Sequence, residues 1–442
     1  MKRRTFLQSG ALALGGAFLT SSLALARAAT GKSRFVFVVM RGALDGLAAV
    51  PPYGDPNYSG LRRELALTAP GSSGGALSLN TFFGLHPSLT FLADSYAERE
   101  LIVFHAIASP YRERSHFDGQ DVLENGSAQP HAVQTGWLNR ALVSLQKTGG
   151  AHRNEAEPGS GNTRELGVAL GQNVPLVMRG PAAVTSWSAS KLAALDEDTL
   201  ERITDLYSGD PLLAARLADA LAADAIAAEP AHGSMVATSP ARDPMVADMG
   251  GGDPGSTQSP TNPSLIQRAK TPRYTEIVRA AAGFLRRDNG PQVAVFDTTG
   301  WDTHANEGNA SGQLATRLAA LDQGLRTLKD ELGPVWSDTA VLLATEFGRT
   351  AATNGTRGTD HGTATAAFLL GGAVQGGRVL ADWPGLASHA LYQGRDLKPT
   401  TDLRSVLKGI LTEHLLVSDR AVDSSVFPDS GDIRPIRGLF RA

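Results

Sequence analysis

The sequence V-A-V-F-D-T-T-G-W-D-T-H, residues 293–304, decides the fold of this 442-residue chain. It begins with the apolar run Val293–Phe296 and ends with Asp302 and His304. A short, largely β-branched apolar run is typical of a strand that is buried on both faces of a parallel sheet. Open α/β sheets bind their ligands just beyond the ends of such strands. The stretch therefore predicts a buried strand with Asp302 and His304 at its functional end.

The same combination of an apolar run with polar residues recurs twice further along the chain. Ala340–Ala344 leads to Glu346, and Asp360-His361 shortly precedes the run Ala366–Leu370. Polar residues of these types at several strand ends predict one site at an edge of the sheet.

Other elements follow from the same kind of pattern. Leucines at helical spacing from Leu314 to Leu332 predict a helix with Ser311 as its N-cap and Gly333-Pro334 after its end. Further buried strands are predicted at Arg34–Met40, Leu101–Ala106, Leu166–Leu170 and Val174–Met178, and further helices after His86-Pro87 and within 191–228 and 274–286. Alternating strands and helices predict an α/β fold.

The first residues resemble an export signal. Arg3-Arg4 gives a twin-arginine start, the apolar run Ala11–Leu25 follows, and Ala26-Arg27-Ala28 forms a cleavage site of the A-x-A type. The run is short for a spanning helix. We expect residues 1–28 to be removed and residues 29–442 to form a single domain, periplasmic or secreted, with no membrane span. A cytoplasmic protein with a chance Arg-Arg pair is the alternative.

The composition of the chain argues against some classes of partner and some kinds of metal ligand. The formal net charge is −3, and removal of the four basic residues of the leader makes it −7, which disfavours nucleic acid and anionic membrane surfaces as partners. The chain has no cysteine, so any metal must be held by oxygen and imidazole ligands. Residues 229–262 are rich in Pro, Gly, Ser and Met, and we expect a disordered or mobile insertion there.

Asp302 and His304 are the first candidate metal ligands. Because they lie two residues apart in an extended segment, their side chains share one face and can bind one ion. Each has an ordinary alternative as a solvated loop residue. Likewise, Glu346 can form a buried ion pair with Arg349, and Asp45 can be a turn residue.

The order of the polar residues favours a shared site. Carboxylates, Ser115 and histidines follow one another along the chain, nearly all beside predicted strand ends. Carboxylates and imidazoles without sulfur suit Zn²⁺, Mn²⁺, Mg²⁺ or Ca²⁺, as one ion or two. Such ions lower the pKa of a bound hydroxyl group and hold phosphate- or sulfate-like groups.

Six motifs together resemble DUF1501, a family of twin-arginine-exported bacterial proteins of unknown function. They are R-G-A-L-D-G-L (41–47), R-S-H-F-D-G-Q (114–120), G-W-L-N-R (136–140), G-W-D-T-H (300–304), T-E-F-G-R-T (345–350) and D-H-G (360–362). That family is related to the alkaline phosphatase and sulfatase superfamily. The resemblance implies a three-layer, alkaline-phosphatase-like α/β/α fold with a mostly parallel sheet and metal ligands at strand ends.

The resemblance also implies roles for single residues. The implied ligands of one metal ion are Asp302, His304 and His361, and Asp45 with Glu346 would support a second ion. Ser115 lies where the superfamily places its nucleophile, and His116 beside it is a further catalytic candidate or a ligand. Arg41, with Arg114 and Arg349, is a candidate anion clamp, although each can equally be a structural ion-pair partner.

The chain departs from the superfamily pattern in three ways. Asp302 and His304 are two residues apart, closer than the corresponding pair in phosphatases. Phe347 stands where phosphatases and sulfatases have a histidine, and no Cys/Ser-x-Pro-x-Arg signature surrounds Ser115. Conventional sulfatase chemistry is therefore disfavoured. We predict an exported metal-dependent hydrolase or transferase that acts on phosphate or sulfate esters of small molecules or glycans. The alternative is a non-catalytic exported binding or assembly protein that keeps the fold, with one metal ion or with none.

Overall fold

The computed structural model describes residues 32–150, 165–189, 197–229 and 271–441. Within them the strands are β1 Arg34–Arg41, β2 Leu77–Ser78, β3 Gly84–Leu85, β4 Leu101–Ala108, β5 Gly167–Leu170, β6 Thr185–Trp187, β7 Val293–Thr299, β8 Thr339–Ala344, β9 Thr365–Leu370, β10 Arg378–Leu380 and β11 Thr401–Asp402. Nine of these strands form one sheet in the order β10-β4-β9-β8-β1-β7-β5-β6, with β11 also paired to β4. Strands β2 and β3 form a separate antiparallel pair.

The large sheet is mostly parallel. Strand β1 pairs in parallel with both β7 and β8, whereas β9 runs antiparallel to its neighbours β4 and β8. Because of this reversal, β9 begins at the same edge of the sheet at which β1, β4, β7 and β8 end. The segments that follow those four strands and the segment that precedes β9 therefore meet at one edge.

The α-helices are α1 Gly46–Ala49, α2 Tyr58–Arg62, α3 Thr90–Ala97, α4 His116–Asn125, α5 Trp137–Gly150, α6 Glu197–Ser208, α7 Pro211–Ala228, α8 Thr271–Arg286, α9 Gln313–Leu332, α10 Leu403–Glu413 and α11 Asp419–Ala421. Short 3₁₀ segments lie at Arg63–Leu65, Leu176–Met178 and Gly333–Asp338, and a π-helical turn lies at Val422–Val426. Among the described helices, none is both long and apolar enough to cross a membrane.

The sheet is covered on both faces, as the continuous apolar strands predict. Alternate residues of β1 enter two separate cores, because successive side chains of a strand point to opposite faces. Val36 and Val38 pack with residues of α3, α8 and α9, whereas Phe35 and Phe37 pack with residues of α5 and α10. Both faces are buried, so the protein has a three-layer α/β fold and the fold prediction is confirmed.

Most predicted elements form, and two details differ. The predicted strand Val174–Met178 is wrong, because this segment contains a 3₁₀ turn whose N–H groups bond to Glu124 and Pro175 instead of to a strand. The helix predicted from Ser311 is α9, but its N-cap is Gly312, at φ 126°, and no side chain caps it. The predicted leader and residues 230–262 of the predicted insertion lie outside the described residues and stay predictions.

Candidate metal centre

Four segments bring polar side chains to the common edge of the sheet. Asp302 and His304 follow β7, and Glu346 follows β8. His116 begins α4, which follows β4, and His361 shortly precedes the antiparallel strand β9. The reversed direction of β9 is the reason that a residue before a strand meets residues after strands.

The Nε2 atoms of the three histidines lie close to one carboxylate oxygen atom of Asp302. Asp302 Oδ1 lies 3.1 Å from His304 Nε2, 3.2 Å from His361 Nε2 and 3.5 Å from His116 Nε2. The two Nε2 atoms of His304 and His361 are 3.0 Å apart. One donor atom each from His116, Asp302 and His361 lies within 4.8 Å of the others.

These separations fit the ligands of one divalent ion. Metal–ligand bonds of about 2.0–2.2 Å in tetrahedral geometry place neighbouring ligand atoms about 3.3–3.6 Å apart, close to the 3.0–3.5 Å seen around Asp302. His116 Nε2 is buried and has no hydrogen-bond partner among the described residues. Buried nitrogen atoms without a partner are rare, so this atom marks a place for an additional partner. The residues present fit a metal ion held by imidazole and carboxylate groups.

The other ring nitrogen of each histidine faces a fixed oxygen atom. His116 Nδ1 lies 2.7 Å from Glu346 Oε1, and His361 Nδ1 lies 3.0 Å from the carbonyl oxygen of Arg114. His304 Nδ1 is 3.4 Å from Asp360 Oδ1. Such contacts hold the proton on Nδ1 and leave Nε2 as the ligand atom, as in the carboxylate–histidine pairs of metal sites.

Arg349 places a buried positive charge beside this group. Its Nη2 atom donates to Asp302 Oδ1 over 2.8 Å, and its side chain is fully buried. Burial alone would raise the pKa of Asp302, but the charges of Arg349 and His304 outweigh it and hold that pKa below its usual value. Asp302 therefore stays an anion. The ion pair expected between Arg349 and Glu346 is replaced by this one.

Glu346 is engaged on both of its carboxylate oxygens. Oε1 accepts from the Gly42 amide and from Gln120 as well as facing His116, and Oε2 accepts from the Thr345 hydroxyl. Burial acts to raise the pKa of Glu346, but these hydrogen bonds, that of His116 first, lower it below its usual value. The same hydrogen bond raises the pKa of His116. The structure places Glu346, predicted as a ligand, where its carboxylate orients the His116 ring.

Asp45 also differs from its predicted role. Its Oδ1 caps helix α1 by accepting from the Ala48 amide over 3.0 Å, and its Oδ2 is paired with the fully buried Arg62. Both oxygens of Asp45 are therefore bonded to groups in the protein interior. Among the described residues, the ligand atoms that lie close together are those of His116, Asp302 and His361, and Asp45 is not one of this group. The helix-capping alternative, a carboxylate at a turn, is the arrangement found.

A buried carboxyl group that the sequence did not reveal joins the two loops of the site. Glu307 Oε2 accepts from the hydroxyl groups of Thr303 and Thr359 over 2.9 Å and 3.0 Å. Thr303 lies between Asp302 and His304, and Thr359 lies two residues before His361. Glu307 therefore ties the Asp302–His304 loop to the loop that carries His361. An acid five residues beyond Asp302 carries no sequence signal for this role.

The other residues predicted for the site, Ser115, Arg114 and Arg41, bond to neighbouring groups of the protein. Ser115 occupies the N-cap position of α4, and its backbone amide donates to the Tyr111 hydroxyl oxygen over 3.1 Å. Burial raises the pKa of Tyr111. Arg114 pairs with Asp396 over 2.7 Å. Arg41 pairs with Asp297 and Glu124 over 2.6 Å and 2.7 Å, so its charge is neutralised and an anion-clamp role is disfavoured for it.

These features define the protein as a three-layer α/β protein with one candidate metal centre at the edge of its sheet. Its sequence matches the family described as "Protein of unknown function (DUF1501)" over residues 105–425. The chain therefore belongs to the DUF1501 family. No curated protein sequence matches it. A solved structure of Ps i-CgsB in complex with k-i-k-neocarrahexaose is similar at 11% identity and a TM-score of 0.38, over 91% of this chain and 77% of that one.

Stability should fall as the pH rises, because of Glu307. Burial, followed by the charge of Asp45, raises the pKa of Glu307 from 4.5 to about 8. The folded state therefore keeps a proton that the unfolded chain has lost, so this contribution is full below 4.5 and is lost as the pH rises through about 8. Glu307→Gln should flatten the pH dependence of the unfolding free energy in urea, whereas the exposed Glu276→Gln should leave it unchanged. An unaltered slope in Glu307→Gln would contradict this assignment.

Proposed function

We propose that this protein is a metal-dependent hydrolase or transferase of phosphate or sulfate esters with one metal ion at its centre. The observation that carries the proposal is the close approach of ligand atoms from His116, Asp302 and His361, which lie within 4.8 Å of one another. His304 Nε2 adjoins two of them, at 3.1 Å from Asp302 Oδ1 and 3.0 Å from His361 Nε2. His361 and His116 are about a quarter exposed, and Asp302 and His304 somewhat less than half. A ligand set that is accessible from solvent suits a catalytic centre, which keeps one coordination position open for water or substrate.

Some residues of the site would bind the ion, and others would orient the residues that bind it. Asp302, His304, His361 and His116 would hold the ion, while Glu346 and the Arg114 carbonyl group fix the imidazole rings. A bound divalent ion would supply Lewis acidity, lowering the pKa of a bound hydroxyl group and polarising an ester oxygen. Asp302 contributes the negative charge, and Arg349 keeps that carboxylate deprotonated. Zn²⁺ and Mn²⁺ suit a site with this share of imidazole better than Mg²⁺ or Ca²⁺.

Ser115 is the nucleophile in this proposal. It directly precedes His116, so it lies at the margin of the metal centre, and its side chain is partly exposed. The Ser115 amide donates to the Tyr111 hydroxyl oxygen over 3.1 Å, which holds the backbone of Ser115 at the start of α4. Burial raises the pKa of Tyr111, so this phenol stays protonated at neutral pH and is no base for the serine. Export through the twin-arginine pathway belongs to the same proposal, since the leader motif supports it.

The contacts of the residues expected at a second metal site favour a second candidate function. The residues expected at that site make other contacts. Asp45 caps a helix and pairs with Arg62, and Glu346 accepts hydrogen bonds, one of them from the Gly42 amide. Phe347 stacks on His116 with ring centroids 5.0 Å apart. A fold that keeps one ion and lacks the second suits a non-catalytic exported binding or assembly protein.

Metal analysis and turnover together test the proposal. The purified full chain should contain or bind about one equivalent of Zn²⁺ or Mn²⁺, as expected for a single metal centre. It should hydrolyse an aryl phosphate or aryl sulfate, and Ser115→Ala should abolish this turnover while metal binding persists. Metal binding without turnover of either ester would favour the binding protein. Absence of metal binding would refute both the metal-dependent hydrolase and the binding protein that keeps one ion.

A further inference from the structure

A cleft opens beside the metal centre on the side of α4. Its volume is about 630 Å³, and it is lined by the ends of β1, β5 and β7, the outer face of α4 and the loop that follows β5. This is the edge of the sheet at which α/β proteins bind ligands. Neither the family match nor the metal site assigns a role to this cleft.

Helix α4 connects the cleft with the metal centre. His116, its first residue, faces Asp302, and Phe117, the next residue, lines the cleft. Gln120, one turn further, also lines the cleft and reaches both sides. Its oxygen accepts from Arg41 over 2.9 Å, and its nitrogen donates to Glu346 over 3.2 Å. A ligand in the cleft would therefore lie within a helical turn of a group held at the metal centre.

The charges of the cleft do not suit an anion. Arg41 is neutralised by two carboxylates, Glu124 and Asp297, that line the same cleft. Arg179 is the remaining lining cation among the described residues, and its Nε atom donates to the Val174 carbonyl. Asp121 adds a further negative charge. An ester anion would consequently bind at the metal centre, and the cleft would receive an uncharged part of the molecule.

The side chains of the cleft suit hydroxyl groups. Gln172 and Asn173 line it, are exposed, and have no side-chain hydrogen bond to any other described residue. Amides and carboxylates both bind hydroxyl groups, since a hydroxyl donates and accepts. Phe117 is 87% exposed, although a large apolar side chain is normally covered. An exposed aromatic ring beside free amides offers the flat face on which a sugar ring can stack.

We propose that this cleft is a saccharide subsite that binds uncharged sugar units next to the metal centre. The inference rests on the proposed function in one respect, namely that the saccharide is the body of the ester substrate. Phe117 stacks on a sugar ring, Gln172 and Asn173 bind its hydroxyl groups, and the charged ester group lies toward His116. Binding of the saccharide itself needs no turnover.

Calorimetric titration of the full chain with cellotetraose, xylotetraose, mannotetraose and maltotetraose tests the subsite. At least one of them should bind, and Phe117→Ala should weaken that binding by about tenfold or more, equivalent to about 1.4 kcal/mol. Phe117→Tyr, which keeps the ring, should bind within about threefold of the natural chain because stacking is retained. Leu212→Ala, at another exposed apolar side chain on α7, is the matched control and should bind normally.

The outcomes separate this inference from the proposed function. Loss of saccharide binding in Phe117→Ala, with thermal stabilisation by Zn²⁺ retained, supports the subsite and shows that the variant is folded. Failure of all four saccharides, or equal binding by Phe117→Ala and the natural chain, would overturn it, even if zinc binding and ester turnover are found. Saccharide binding without any metal binding would refute the proposed function and leave the subsite established.

Discussion

Alanine in place of His361 should remove the stabilisation that Zn²⁺ gives to the folded protein. His361 Nε2 lies 3.0 Å from His304 Nε2 and 3.2 Å from Asp302 Oδ1, so it lies at the centre of the ligand set. Free zinc at a hundred times its dissociation constant stabilises a folded protein by about 2.7 kcal/mol. The variant should lose most of this gain, because loss of a ligand should weaken binding by more than the about 10–100-fold typical of outer-shell changes. Thermal unfolding with and without zinc measures the difference.

Two further variants make the zinc experiment specific. Glu346→Gln keeps His116 in place but weakens the acceptor that orients it, so it should lose about 10–100-fold in zinc affinity. His389→Ala removes an exposed histidine and should respond to zinc as the natural chain does. Equal zinc responses of His361→Ala and His389→Ala would refute the metal centre. A Glu346→Gln response as weak as that of His361→Ala would place Glu346 among the ligands.

Methionine in place of Arg62 should destabilise the fold by about 3–5 kcal/mol, the usual cost of removing one partner from a buried ion pair. Arg62 is fully buried and pairs with Asp45, and its Nη2 atom also lies 3.6 Å from Glu307 Oε1. Without this cation, two buried carboxyl groups would face each other with no positive charge between them. The loss should shrink as the pH falls, because protonation of the carboxyl groups removes their repulsion. Urea unfolding at several pH values measures both effects.

The neighbouring Arg63 supplies the control for Arg62. It is exposed, so Arg63→Met should change the unfolding free energy by no more than about 0.5 kcal/mol. Restoring neutrality in the variant Arg62→Met with Asp45→Asn and Glu307→Gln should recover part of the stability. An Arg62→Met chain as stable as the Arg63→Met chain would refute the structural role given to the buried cluster.

The strands and principal helices could be predicted because their signal is local. The run Val293–Phe296 is apolar, contains two valines and is too short for a helix, and it forms the first part of β7. The leucine stripe from Leu314 to Leu332 repeats every three or four residues, and each of its leucines is buried in α9. The strand prediction that was wrong also has a local cause. The segment Val174–Met178 has the composition of a strand, but Pro175 lacks an N–H group and the chain turns there.

The site was predictable only in part, because its members are related through space. Asp302 and His304 are two residues apart in an extended segment, so their common face could be inferred. His116 was noted beside Ser115, but its contact with Asp302 depends on where α4 begins. Asp45 follows its strand as the resemblance required, yet its oxygens bond to the Ala48 amide and to Arg62. Nothing in the local sequence distinguishes a capping carboxylate from a ligand.

The sequence by itself determined the family, the three-layer α/β class and the part of the sheet edge that carries Asp302, His304 and His361. Local composition and spacing suffice for these, because apolar periodicity selects strands and helices and the motifs are contiguous. Only the tertiary structure decided that His116 joins the three, that Glu346 orients it, and that Asp45 belongs with Arg62 and Glu307. The physical reason is that hydrogen bonds and charge pairing act over a few ångströms, whereas these partners lie up to hundreds of residues apart. Their selection depends on the antiparallel direction of β9 and the start of α4, which packing of the whole sheet establishes.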